Sequence, residues 1–313
     1  MKVIKIHHPL DESRVEPGPI VLAMGFFDGV HKGHQQVLKV ARAKADELGV
    51  KLAAITYDHH PGIVYHQLTK ADTQYITPFD RRMALLEAQG VDLVYLVNFT
   101  GQFSALNPQE FVNQYLVKLG PRVVVAGFDH TYGAPGTDAD MTHLADYATG
   151  RFEVETVGEQ DADGQKISSS SIREALDKGD IESVNDLLGY AFETQGVVVH
   201  GLARGRTIGF PTINIVHPSD QWLPGIGIYT TEVKVGDTWL PGMASIGRDV
   251  TFGDNNPVTV EIYLLDFKGN LYGEDVTVRW HTRLRGEQKF TGADALVEQL
   301  NKDEVQTRSF FKI

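Results

Sequence analysis

Two histidines three residues apart, His31 and His34, close the segment Gly25-Phe26-Phe27-Asp28-Gly29-Val30-His31-Lys32-Gly33-His34. Imidazoles at that spacing, beside glycines that let backbone N–H groups come close to a ligand, suit an anion and most simply a phosphate. The flanking chain supports this chemistry. The apolar run 20–24 reads as a buried strand, the glycines turn the backbone, and apolar periodicity over 34–48 reads as a helix. A helix starting at the imidazoles adds the positive end of its dipole to the same spot. In an arbitrary βα turn, H-x-G-H would be two exposed histidines and nothing more.

A run of hydroxyls follows at Ser168, Ser169, Ser170 and Ser171, between Lys166 and Arg173, where another helical pattern begins. Plain N-capping needs one serine, so four with two cations read as a second anion-binding helix start. Asp58 follows a strand-like run at 52–57, and Asp129 follows another at 122–126. Ligands on parallel sheets meet such strand ends, although aspartate also serves as a plain turn residue. His7-His8 and His59-His60 with His66 lack metal-site spacing, and loop polarity is the simpler reading.

In the second half, residues 201–214 carry Gly201, Gly205, Arg206, Gly209 and Pro211, followed by Thr212 and Asn214. The spacing is not that of a P-loop. Thr212 and Asn214 alternate on a strand, so a hydroxyl and an amide oxygen share one side, and both are donors that magnesium accepts. Glu261 alternates with apolar neighbours in 260–265, as either a solvated outer residue or an inward-facing base.

Strands and helices must position these groups. The first half alternates strands (20–24, 52–57, 93–98, 122–126, 152–157) with helices (34–48, 78–89, 108–118, 138–149), which predicts an α/β domain with a mainly parallel sheet. Near Gly189 the pattern changes to short strands at 197–199, 213–215, 229–235, 239–246, 258–265 and 275–284. That spacing predicts a small antiparallel barrel, with a hairpin at Gly236-Asp237. A capping box over 291–294 opens a closing helix faced by Leu296, Val297, Leu300 and Val305. The expected domains are 1–188 and 189–313.

Composition narrows the function. The chain has 313 residues, enough for two cores, and no cysteine, which removes disulfides, thiolate catalysis and Cys-based metal sites. A formal charge of −12 argues against a general nucleic-acid binder. No stretch suits a membrane span, and Lys2, Lys5, Asp11, Glu12 and Arg14 leave no signal-peptide block. A cytoplasmic protein without nucleic-acid or membrane partners is expected.

Residues 25–35 and 167–173 resemble the adenylyltransferase half of the bacterial bifunctional riboflavin kinase/FMN adenylyltransferase (FAD synthetase) family, within the H-x-G-H nucleotidylyltransferases. The likeness extends to the second half, where Pro211-Thr212-Ile213-Asn214 is similar to P-T-A-N. It implies a Rossmann-like domain that joins FMN to ATP, giving FAD and pyrophosphate, and a barrel that phosphorylates riboflavin with ATP. In the first, His31 and His34 would stabilise charge, with Gly25, Phe27, Asp28, Gly33, Asp58, Asp129, Ser168, Ser169, Ser170 and Arg173 on the substrates. In the second, the resemblance makes Glu261 the base for the riboflavin 5′-hydroxyl, with Mg2+ on Thr212 and Asn214. Gly201, Gly205, Arg206, Gly209 and Pro211 would hold the nucleotide, and Arg285 and Phe290 the flavin side. Ser245 and Val250 depart from the family's asparagine and proline, Ser170 replaces threonine, and Tyr57-Asp58-His59-His60-Pro61 replaces F-D-P-H-P. A class-I aminoacyl-tRNA synthetase relative would carry K-M-S-K-S, absent here. A flavin-binding regulator would have no need of Glu261, Thr212, Asn214, His31 and His34 together.

Overall fold

Strands buried on both faces must be apolar at every position, and the central runs of the first half meet that demand. The computed structural model describes residues 1–134, 136–159, 161–162, 165–247 and 258–313, and divides into two units, Met1–Ser169 and Ser170–Ile313. In the first, β1 (Lys2–Ile6), β2 (Ile20–Met24), β3 (Lys51–Tyr57), β4 (Leu93–Val97), β5 (Pro121–Gly127) and β6 (Glu153–Val157) lie in the order β1-β4-β3-β2-β5-β6. Every neighbouring pair is parallel. One face is covered by Phe103, Phe111, Tyr115 and Leu144, the other by α1 (Lys32–Leu48) and the helix Phe79–Ala88 through Val37, Leu38, Ala41, Met83 and Leu86. The chain builds β2, β3 and β4 outward on one side of β2 and then crosses to β5 on the other. The carboxyl-end loops of β2 and β5 therefore flank the switch point, where ligands bind on open α/β sheets.

Two local readings change. β1 was not anticipated, because only Ile4 and Ile6 face inward while Lys2 and Lys5 stay exposed, a weak signal typical of a charged edge strand. The helix expected over 138–149 shrinks to Leu144–Ala148. Asp140 forms a bridge with Thr131 and its carboxylate accepts from the N–H groups of Thr142 and His143, so the preceding residues make a turn. A two-stranded ribbon, β7 (Asp161–Ala162) with β8 (Gln165–Lys166), precedes the serine run.

The second unit is a closed antiparallel barrel. β9 (Glu193–Val199), β10 (Thr212–Val216), β11 (Gly227–Val235), β12 (Thr238–Gly247), β13 (Thr259–Leu264) and β14 (Asp275–Arg285) close in the order β10-β13-β12-β11-β14-β9. Val235 pairs with Thr238 across the hairpin at 236–237, where Gly236 takes φ 58°. The helices Ser169–Lys178 and Ile181–Leu188 attach here. Trp222 Nε1 donates to Asp177 Oδ1 at 3.1 Å, and Asn185 Nδ2 donates to the Trp280 carbonyl at 2.9 Å.

The closing helix, Ala293–Phe311, corrects two expectations. Its N-cap is Gly292, with no side-chain capping bond, so the capping box over 291–294 does not form. Val305 is 67% exposed, while Asp303 and Thr307 are buried. Positions 296, 300, 303 and 307 repeat at helical spacing on the covered side, and 305 falls two residues off that stripe.

Candidate functional site

The loop joining β2 to α1 is shaped from beneath by a buried carboxylate. Asp28, 2% exposed, accepts from the N–H of Ile76 at 3.2 Å, the N–H of Thr77 at 3.0 Å and the Thr77 hydroxyl at 3.3 Å. The Gly29 N–H donates to Thr77 Oγ1 at 2.7 Å. This anchoring holds Phe27 at φ 59° and Val30 at φ 36°, a left-handed backbone that costs such residues about 1–3 kcal/mol and survives only when the surroundings impose it. Arg82, also buried, donates to the carbonyls of Phe26 and Tyr57, each at 2.9 Å, and so ties the ends of β2 and β3 together.

His31 caps α1. Its Nδ1 accepts from the His34 N–H at 3.3 Å, which puts the proton of the neutral ring on Nε2. The His31 and His34 rings stack at 3.6 Å between centroids, and a Cβ on Gly33 would lie 3.2 Å from the His31 ring. Two stacked imidazoles cannot both charge cheaply. Burial pushes the His34 ring well below its ordinary value, and His31, His130 and Arg82 push it further, so it is neutral near pH 7. Burial takes His130, from the loop after β5, down to about 4. His34 Nδ1 and His130 Nε2 are both buried without a hydrogen-bond partner.

These rings line a cavity of about 420 Å³ whose wall gathers Gly25, Phe27, His31, Gly33, His34, Asp129, Ser168 and Ser169. Ser169 Oγ donates to the Asp28 carbonyl at 2.9 Å, fastening the serine run to the loop. Asp28 and Asp58 are absent from the wall: Asp58 accepts from Asn98 Nδ2 at 2.6 Å and the Phe99 N–H at 3.0 Å, joining loops after β3 and β4. Ser170 and Arg173 lie along the helix Ser169–Lys178, Arg173 buried with its guanidinium 5.6 Å from the Trp222 ring centre. A second cavity of about 440 Å³ shares Tyr57, His60, Pro61 and Thr131 with the first and is faced by Tyr65, Phe99, Phe103, Phe111 and Tyr132.

In the barrel, β10 and β13 set Asn214 opposite Glu261 and Thr212 opposite Tyr263. Strand alternation puts Thr212, Asn214 and Glu261 on one face and Ile213, Ile215 and Ile262 on the other. Buried Val260, Ile262 and Leu264 belong to the interior, so Glu261 stands half-buried on the outer face, where Thr212 Oγ1 donates to its Oε2 at 3.1 Å. β12 sets Ser245 opposite Glu261 on the other side. A Cβ on Gly201 would fall 2.2 Å from Asn214 Nδ2, and one on Gly205 would fall 2.1 Å from the Phe210 carbonyl oxygen, so both positions need the bare backbone. Gly209, at φ 89°, and exposed Pro211 lead into β10. Arg206 donates to Tyr272 Oη at 2.9 Å, and Tyr272 stacks on His200. Arg285 forms a forked pair with buried Asp303, at 3.1 Å from Nε to Oδ1 and 2.8 Å from Nη2 to Oδ2, and lies 5.7 Å from the Phe290 ring centre. Val250 and the Lys166 side chain lie outside the described residues.

Profiles of two families match consecutive parts of the chain, FAD synthetase over residues 13–171 and riboflavin kinase over 188–311. A bifunctional riboflavin kinase/FMN adenylyltransferase of Listeria monocytogenes is 47% identical over 311 residues, covering 99% of this chain and 98% of that protein. The chain belongs to the bifunctional riboflavin kinase/FMN adenylyltransferase family. The Bacillus subtilis member is 39% identical over 99% of this chain and 98% of its own. A crystal structure described as a macrolide-efflux protein from Streptococcus pneumoniae superposes with a TM-score of 0.88 at 34% identity, covering 97% of this chain and 99% of that one. Among the described residues no helix is long and apolar enough to cross a membrane.

Membership in a riboflavin kinase/FMN adenylyltransferase family gives two separate sites a common rationale. His60 and His130 fall in the strand-end segments 58–61 and 127–133 that the sequence points to, without being singled out as site residues, and Arg82 carries no sequence signal. His130 was within reach, as the residue following Asp129 at a strand end. Arg82 is one arginine in an ordinary helix until the fold buries it, and the aromatic cavity draws on segments too far apart for any local signal.

Proposed function

We propose that the two activities of this bifunctional enzyme divide at the 188/189 boundary, residues 1–188 adenylylating FMN and 189–313 phosphorylating riboflavin. The observation that carries the first assignment is the pair of cavities joined by a shared wall: imidazoles and a helix N-terminus on one side, aromatic rings on the other. A flavin ring suits the aromatic side, and its ribityl phosphate then reaches into the imidazole side. There the FMN phosphate oxygen attacks the α-phosphorus of ATP, the bond to the β-phosphate oxygen breaks, and pyrophosphate leaves. His31, donating from Nε2, His34 and the first turn of α1 stabilise the charge that builds on the phosphates, each donor worth about 10²–10³-fold in rate. Gly25 and Gly33 admit the nucleotide close to the backbone. Phe27, Asp129, Ser168 and Ser169 complete the wall. No protein nucleophile takes part.

In the barrel, Glu261 accepts the proton of the riboflavin 5′-hydroxyl as that oxygen attacks the γ-phosphorus, giving FMN and ADP. Thr212 holds the carboxylate through its hydroxyl. These kinase and adenylyltransferase families use ATP with a divalent metal. Thr212, Asn214 and Glu261 present only oxygen donors suited to a hard cation, and Mg2+ held by Thr212 and Asn214 would neutralise nucleotide phosphate charge. ATP as a substrate and the absence of cysteine fit a cytoplasmic enzyme.

The test is paired rates from riboflavin and from FMN. Glu261→Gln should lower FMN formation by about 10²–10⁴-fold and leave FAD formation from supplied FMN unchanged. His34→Ala should lower FAD formation by about 10²–10³-fold and let FMN accumulate. Either variant losing both activities while folded would break the two-site assignment. A parent protein yielding neither flavin would end the reading.

A further inference from the structure

The wall shared by the two cavities contains Tyr57, His60, Pro61 and Thr131. On the reading above, the FMN phosphate passes this wall, and His60 alone among the four can become a cation. Its ring is edge-on to Phe26, 5.3 Å between centroids at 84°, and its Nδ1 lies 2.9 Å from Asp72 Oδ1. Asp72 is 3% exposed and comes from the one-turn helix Lys70–Thr73. Its Oδ2 accepts from the Thr69 N–H at 2.8 Å and the Thr69 hydroxyl at 2.6 Å. The chain bends closely around this carboxylate: a Cβ on Gly62 would fall 2.0 Å from Oδ1. Capping the short helix needs only one oxygen. The other is aimed at an imidazole.

We propose that Asp72 is a positioning residue of the adenylyl-transfer site, holding His60 with Nδ1 turned to the carboxylate so that the opposite ring edge donates to the phosphate of FMN. With Nδ1–H donating to a buried carboxylate, a neutral ring would leave the opposite nitrogen bare, so donation from that edge needs the imidazolium, which a facing anion favours. Burial disfavours the Asp72 charge, but the Thr69 bonds and the nearby His60 and His66 outweigh it, and the carboxyl sits below its ordinary value. The Gly62 N–H also lies 3.2 Å from Nδ1, yet an ionised carboxylate at 2.9 Å can only accept, so the ring proton goes to Asp72. The other titratable groups around the ring are His66, whose Nδ1 is 3.7 Å from Asp72 Oδ2, Tyr75, whose Oη accepts from the His60 backbone N–H at 3.4 Å, and Arg82 beyond Phe26. The pair would favour a phosphate-bearing flavin over riboflavin at this site.

The experiment uses the full chain, with FAD formation measured from FMN between pH 5.5 and 8.5. Asp72→Asn keeps the side chain's size and its bond from Thr69 but removes the anion. It should raise the KM for FMN about tenfold at pH 8, with a smaller change in kcat, and the defect should shrink toward pH 5.5. His60→Gln should raise the KM by a similar factor at every pH, and adding Asp72→Asn to it should cost no more. FMN formation from riboflavin should be unchanged in all three. A pH-independent loss in Asp72→Asn, or a further loss when it is combined with His60→Gln, would overturn the proposal by making Asp72 merely structural. If Asp72→Asn unfolds the first unit, His60→Gln carries the test, since that side chain is 32% exposed; an unchanged KM for FMN overturns the proposal. A parent unable to make FAD would instead refute the adenylylation reading.

Discussion

Replacing Asp28 by alanine separates a carboxylate that builds the loop from one that touches the ligand. The side chain accepts from the Thr77 hydroxyl and from the backbone N–H groups of Ile76 and Thr77. Removing it takes a carboxylate acceptor away from both N–H groups, at about 1–3 kcal/mol each, and releases the left-handed backbone at Phe27 and Val30. Released strain returns part of that cost, so local opening should become easier by about 3 kcal/mol, or roughly 10²-fold in exchange rate. The assay is amide hydrogen exchange at Gly29, Ile76 and Thr77 in the full chain, beside both flavin-forming rates. All three amides should exchange roughly 10²-fold faster, FAD formation should fall as His31 and His34 lose their fixed geometry, and FMN formation should stay constant. Loss of FAD formation with unchanged exchange at Ile76 and Thr77 would refute the reasoning, because the carboxylate would then act on substrate.

Arg285→Ala strands the buried Asp303 carboxylate and should destabilise the barrel by about 3–5 kcal/mol in urea unfolding; a raised KM for riboflavin at unchanged stability would instead make Arg285 a flavin contact. Acid should weaken the first unit. With His130 down at about 4 when folded and near 6.5 when unfolded, the unfolded chain binds the extra proton between those values. Stability is complete above pH 6.5 and falls by up to about 3 kcal/mol toward pH 4, and His34 acts in the same direction. His130→Gln should flatten that slope in urea titrations across this range, and an unchanged slope would contradict the buried imidazole.

What could be read from the chain alone was whatever neighbours in sequence encode. β2, the glycine-rich turn and α1 follow from local periodicity and turn chemistry, so H-x-G-H could be set at a strand-to-helix junction. The six barrel strands announced themselves by alternation and spaced turns, and Thr212 and Asn214 share a face because a strand repeats every two residues. Sidedness was harder. Glu261 could be set in a strand but not on the outside of the barrel, because that depends on which face the closed sheet buries. Val305 looked like a helix contact until the barrel selected the stripe through Asp303 and Thr307. Asp28 carries the same residue type whether it binds a ligand or two distant amides, and only the approach of 76–77 to the loop decides which it does. The aromatic cavity and the Asp72–His60 contact arise only when separate strand-end loops are brought to one edge of the sheet. Local sequence sets what each segment is able to form, while burial, register and charge state depend on partners that the chain supplies from far away.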